Sequence, residues 1–132
     1  MKGYIANIAE LSSDNSYFRK VVYTTKNTQL VLMSLKPQED IGAETHNLDQ
    51  MITVVEGDGV AVLDDVEMPI MNGSVVVVPQ GTKHNIKNTS DDHDMKLYTL
   101  YAPPDHKDGL IHKTKEDAEK NDEPFDGKTT EE

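Results

Sequence analysis

From residue 17 to residue 101 the chain is a succession of short apolar runs broken by turn residues at intervals of about ten, and that punctuation confines it to a sandwich or a barrel. The runs occupy 18–25, 29–35, 44–46, 51–56, 60–63, 66–71, 75–79, 83–87 and 95–101. Between them stand Lys36-Pro37-Gln38-Glu39, Gly57-Asp58-Gly59, Asn72-Gly73, Gly81-Thr82 and Thr89-Ser90-Asp91-Asp92, residue types that favour turns. Gly57, Gly59 and Gly73 are placed to supply the positive φ of hairpin turns. The four consecutive valines at 75–78 would aggregate on an open edge. Their expected position is therefore a buried central strand, ended by Pro79, which need not donate to the ladder there. Phe18, Leu30, Leu32, Ile52, Val54, Val62, Ile86 and Leu97 form the simplest core set. No unit of about 20–50 residues repeats, which removes solenoids and propellers.

The 132 residues suffice for one domain that buries roughly two-thirds of its unfolded surface. The expected organisation is an N-terminal segment at 1–16, a barrel at 17–101 and a C-terminal tail at 102–132. Residues 4–14 suit a helical turn or an edge strand equally. In the tail, Thr114 with Asp117 three residues on predicts a short helix over 115–120, and residues 126–132 read as frayed. The composition of the tail is equally compatible with packing on the barrel, packing on a partner subunit, or exposure.

There is no cysteine, which excludes a disulfide framework, a thiolate zinc site and a cysteine nucleophile, so any metal must take nitrogen and oxygen ligands. Acidic residues outnumber basic ones 24 to 13, for a formal charge of −11. Such a surface repels a phosphate backbone, and nucleic acid is not an expected partner. The opening MKGYIANIAELSSDN lacks the apolar run of a signal peptide, and no stretch approaches the ~20 apolar residues of a membrane span. The expectation is a cytoplasmic protein with no membrane association.

Two segments, 44–57 and 73–88, hold residue types that bind metals, framed by turn glycines. Glu44, His46 and Gln50 have the same parity, so they share one face if the strand resumes in register after Asn47-Leu48-Asp49. His84 has Ile86 and Asn88 beside it on its own face, and Lys83 on the other. Taken singly, each of the four is more often a surface group or a satisfied polar residue. Four compatible residues at two matched spacings shift that balance toward a common site. Imidazole nitrogens with carboxylate and amide oxygens suit a divalent transition metal: manganese, iron, cobalt, nickel, copper or zinc.

The second segment reads Gly73, Pro79, Gly81, His84, Asn88 with the spacing of the second sequence motif of the cupin superfamily. The first keeps the spacing of the first cupin motif, with Glu44-x-His46, then Gln50, then Gly57, and changes its letters. Glu44 stands where that motif has its first histidine, Gln50 where it has its glutamate, and Gln38 where it has a glycine. The chain resembles small single-domain bacterial cupins through Tyr101. The resemblance implies an all-β jelly-roll barrel, the double-stranded β-helix, with Glu44, His46, Gln50 and His84 around the ion. The usual three histidines and one glutamate leave the same site charge as this set. Exchanging one imidazole for an oxygen makes the site harder, toward manganese or ferrous iron, though copper and zinc compete on affinity. Four protein ligands on a six-coordinate ion leave two positions for water, dioxygen or a bidentate substrate, as in working sites.

His93 sits among Asp91, Asp92 and Asp94 and reads as part of an exposed turn. His106 and His112 flank a polar loop from which they could reach the barrel mouth as acid/base groups. Tyr98 and Tyr101 have opposite parity, so at most one faces the cavity. The leading expectation is a metal-dependent enzyme acting on a small oxygen-rich molecule, of dioxygenase, isomerase or hydrolase type. The alternative is a non-catalytic module that binds a small molecule or sugar, and a storage role is weaker for so short an acidic chain. A homodimer is expected, with the 18–25 run offering strand material for a shared sheet.

Overall fold

The computed structural model describes residues 2–131. Among the described residues nine strands and two short helices follow one another: α1 (Ile8–Asp14), β1 (Arg19–Thr24), β2 (Gln29–Leu35), β3 (Asp49–Glu56), β4 (Gly59–Leu63), β5 (Val66–Ile70), β6 (Val75–Val78), β7 (His84–Asn88), β8 (Met95–Ala102), β9 (Ile111–His112) and α2 (Lys115–Lys120). The strands make a six-stranded sheet in the order β6-β3-β8-β2-β1-β9 and a three-stranded sheet in the order β5-β4-β7, antiparallel throughout. This is a jelly roll. Every apolar run of the sequence becomes a strand except 44–46, which contributes an isolated bridge between Glu44 and His84. Residues 8–14 resolve as a helix: Asn7 caps it by accepting from the Glu10 N–H at 3.1 Å.

The two sheets close over an apolar core because their strands alternate. In β8, Met95, Leu97, Thr99 and Tyr101 are buried, and Lys96, Tyr98 and Leu100 between them are less so. Phe18, Ile52, Val54, Ile86 and Leu97 join the core as the sequence suggests. Leu32 is buried as well, outside that cluster, whereas Leu30 and Val62 are only half-buried. In β2 the core takes Val31, Met33 and Leu35, and in β4 it takes Ala61. Leu32 is buried on the opposite face, where Lys96 Nζ bonds Asn15 O and Ser34 Oγ at the foot of α1. Both faces of β2 are apolar, so parity alone could not choose between them.

The valine run is an edge strand, not a central one. β6 pairs only with β3, burying Val76 and Val78 and leaving Val75 56% and Val77 61% exposed. Gly57, at φ 113°, makes the turn that the sequence assigns to it. Gly59 does not have a positive φ; it is required because any Cβ there would overlap the Lys87 carbonyl oxygen and the end of Met95.

The tail lies on the barrel. Leu110 enters the core, β9 pairs with β1, and the Val21 N–H reaches Leu110 O at 2.9 Å. Thr114 and Asp117 form the reciprocal cap expected of them. The tail is held down at Thr130, which exchanges hydrogen bonds with the Thr24 backbone and donates to Asp108 at 2.7 Å, so the expected fraying is absent there; residue 132 lies outside the described residues. These contacts cover the outer edge of β1, so the 18–25 run is not free to extend a shared sheet. Among the described residues no helix is long and apolar enough to cross a membrane.

Candidate metal centre

Glu44 and His84 are brought together by the backbone. Each donates its N–H to the other's carbonyl at 2.9 Å, so the loop before β3 is laced to the start of β7. His46 follows two residues on, and Gln50 lies on the inner face of β3 with Ile52 and Val54. One ligand atom from each of Glu44, His46 and His84 lies within 4.8 Å of the others, and the two imidazole centroids are 5.2 Å apart.

The donor atoms are poised for a shared third party. His84 Nδ1 sits 3.0 Å from Thr82 O, which places the ring proton on Nδ1 and leaves the Nε2 lone pair free. Gln50 Nε2 donates to Thr99 Oγ1 at 3.0 Å, and its buried Oε1 has no partner. His46 Nε2 is also buried without a directed hydrogen bond, although Glu44 Oε2 is 2.6 Å away. Leaving such an atom unsatisfied costs about 1–3 kcal/mol. Both atoms belong to residues the motif spacing nominates, and the ligand atoms of Glu44, His46 and His84 converge closely enough to hold a cation among them. The residues therefore fit a divalent ion.

The electrostatics agree. Burial pushes the Glu44 carboxyl up, but contact with His46 and the charges of Arg19 and His84 outweigh it and hold Glu44 below the usual range. The Glu44 contact raises His46. Asp105, whose Oδ2 is 3.9 Å from His46 Nδ1 and 3.4 Å from His106 Nε2, is raised by burial. Burial pushes His106 down to about 3, so its ring is neutral at ordinary pH, and burial raises the Tyr101 phenol. Of the two tyrosines Tyr101 is the buried one, with its ring edge-on to both His46 and His106.

The cluster borders a cavity of about 640 Å³ lined by Phe18, Arg19, Ile41, Glu44, His46 and Asp105, among others. Residues of the tail form its far wall: His106, Lys115, Ala118, Glu119, Asp122 and Pro124. Lys115 Nζ is 2.5 Å from Asp40 Oδ1, fastening α2 across the mouth. Hydrogen bonding from Asn85, and then from Lys115, lowers the Asp40 carboxyl.

His106 does reach the cavity. His112 is buried behind it, and His93 is exposed. Asn88, the last residue of the second motif, serves the scaffold: its amide donates to Leu35 O, Lys36 O and His93 O, and its oxygen accepts from Ser90 N–H. Gln38 holds φ 64°, the left-handed conformation that a glycine would adopt freely, and its side chain reaches Thr89, Ser90 and Asp91. Sequence reasoning missed Arg19 and Asp105. Arg19 left one trace, a charged residue sharing the face of Val21 in an apolar strand. Asp105 left none, because its place depends on how the tail folds back.

Fold and donor cluster together define a jelly-roll protein with a metal-competent pocket. A family described as the cupin domain matches residues 31–101. YrkC of Bacillus subtilis (strain 168) is 39% identical over 124 residues, which cover 89% of this chain and 66% of YrkC. A protein of Acanthamoeba polyphaga mimivirus is 42% identical over 112 residues, 82% of this chain and 70% of that one. The crystal structure of BH2720 from Bacillus halodurans superposes with a TM-score of 0.88 at 33% identity, covering 91% of this chain and 96% of that one. The chain belongs to the cupin family. It spans just under two thirds of the length of YrkC.

Proposed function

We propose that this cupin binds a divalent transition metal through Glu44, His46, Gln50 and His84 and uses it on a small oxygen-rich organic molecule held in the adjoining cavity. The observation that carries this reading is the convergence of one ligand atom each from Glu44, His46 and His84, with Gln50 Oε1 buried and unpartnered on the inner face of β3. An ion there would supply Lewis acidity or a template for dioxygen. The chain's own groups divide the remaining tasks. Thr82 O and Thr99 Oγ1 orient His84 and Gln50, Tyr101 and His106 wall the site, and Asp105 is the acid best placed to hold or pass a proton. Metal content per folded molecule, compared between wild type and His84→Ala after identical loading with Mn²⁺ and Zn²⁺, tests the site. Equal content in the two proteins rejects it.

A second reading, a non-catalytic ligand-binding module, draws on the same cavity. It is favoured by the neutrality of His106 and the protonated Tyr101, which leave Asp105 with little help in acid/base chemistry. Metal-dependent turnover of any small hydroxy- or oxo-compound decides for the enzyme.

The expected homodimer needs a different surface from β1. The β5 and β6 edges expose Val66, Met68, Val75 and Val77 around an apolar cavity of about 320 Å³, and a second copy is the partner we assign to it. Sedimentation of wild type against Val77→Lys is the check. A monomeric wild type ends this part of the proposal.

A further inference from the structure

The cavity beside the donor cluster contains a buried cation with an unused edge. Arg19 opens β1 on the face of Val21 and is only 7% exposed. Its guanidinium lies over the Phe18 ring, 5.3 Å from the centroid. Nη1 is 3.2 Å from His112 Nδ1, and His112 Nε2 is 2.7 Å from Asn121 O. The carbonyl can only accept, so His112 carries its proton on Nε2, and Nδ1 accepts from the arginine. The head group is thereby gripped from the β9 side and supported by an aromatic face. Nε, in contrast, is buried without a partner, and no carboxylate of the described residues forms an ion pair with Arg19.

A buried guanidinium with no directly paired carboxylate is costly, and a bound anion would offset that cost. With Nη1 engaged, the free side is the Nε–Nη2 edge, whose two parallel N–H groups match the two oxygens of a carboxylate. Arg19 also lines the same cavity as Glu44, His46 and Asp105, and its charge acts on all three. We propose that Arg19 anchors the carboxylate of a small organic acid whose neighbouring hydroxyl or oxo oxygen is thereby presented to Glu44, His46 and His84. The presentation to an ion rests on the metal reading above; the arginine anchor is tested apart from it.

The walls narrow the class further. Glu119 and Asp122 line the α2 side of the cavity with negative charge, which disfavours a second carboxylate. Phe18, Ile41 and Ala118 offer apolar surface to a short carbon chain. A 2-hydroxy or 2-oxo monocarboxylate fits better than a polyanion or a neutral sugar.

Glycolate and its neutral counterpart glycolamide are the probes. Their binding is measured by titration calorimetry to wild type, Arg19→Met and Arg19→Lys, each with Mn²⁺ and after chelation, with metal content determined in parallel. Glycolate affinity should fall at least about tenfold in Arg19→Met, and metal content and glycolamide affinity should stay at the wild-type level. Arg19→Lys keeps the charge and loses the fork, so it should fall between the two, and it carries the comparison if Arg19→Met does not fold. Equal glycolate affinity in wild type and variants overturns the anchor, as does a parallel loss of glycolamide or a wild type that binds no glycolate. A wild type that takes up no metal yet binds glycolate through Arg19 would reject the metal reading and keep the anchor.

Discussion

The two motif segments reach one site by different means. In 73–88 the backbone is regular and the family's letters are intact, yet only His84 faces the cluster, with Asn88 and the glycines shaping the chain around it. In 44–57 the letters are altered and Glu44 and His46 precede the strand, yet both converge on His84. Motif spacing therefore records the path of the chain, and the identity of the side chains records the chemistry. Gln38 makes the same point, since a glutamine holds a left-handed turn at the position where the motif has a glycine.

Four measurements press on that contrast. The largest effect belongs to the scaffold: Asn88→Ala removes a buried amide that serves three carbonyls and one N–H, and should cost about 3 kcal/mol in chemical denaturation. The folded fraction should bind metal normally, and a selective loss of metal would move Asn88 into the site. Gln50→Leu should do the opposite. It deletes an orphaned oxygen but also the donor to Thr99 Oγ1, so the two changes oppose each other and stability should fall by no more than about 1–2 kcal/mol, and metal affinity should drop about tenfold. Unchanged affinity removes Gln50 from the donor set.

A smaller effect separates Gln38→Gly from Gln38→Ala. Both lose the side-chain bonds, but only alanine retains the left-handed strain, so the glycine variant should be the more stable by about 1 kcal/mol. Equal midpoints would mean that the turn relaxes. The smallest effect is the pH response of the partly solvated Glu44–His46 pair in chelator-treated protein. Glu44 is depressed, so its contribution is present above the ordinary carboxylate pKa of about 4.3 and is lost as pH falls through the folded value. His46 is raised, so its contribution is present below about 6.5 and is lost as pH rises through the folded value. Metal requires the neutral ring, so the thermal midpoint gained on adding metal should widen between about pH 6 and pH 8. A gap that stays constant would place His46 outside the coordination.

The strands, hairpin glycines and α2 cap could be read from the chain because each is set by residues within one turn or one strand. The approach of Glu44, His46 and His84 could be anticipated from motif spacing, since one ligand atom of each lies within 4.8 Å of the others. Facing was less accessible: Leu32 and Val62 could point either way until their neighbours were known, and the valine run gave no sign that β6 borders only β3. The tail was least accessible. Asp105, His106 and the grip of His112 on Arg19 depend on contacts between residues more than seventy positions apart, such as Gln29 with His106 O at 2.7 Å.

The mutual peptide hydrogen bonds of Glu44 and His84 have an evolutionary corollary. Two donors fixed at their α-carbons by main-chain pairing keep their spacing whatever side chains they carry. Substitutions there can retune hardness, charge or selectivity for an ion without rebuilding the cage, which gives such barrels a low-cost route from one chemistry to another.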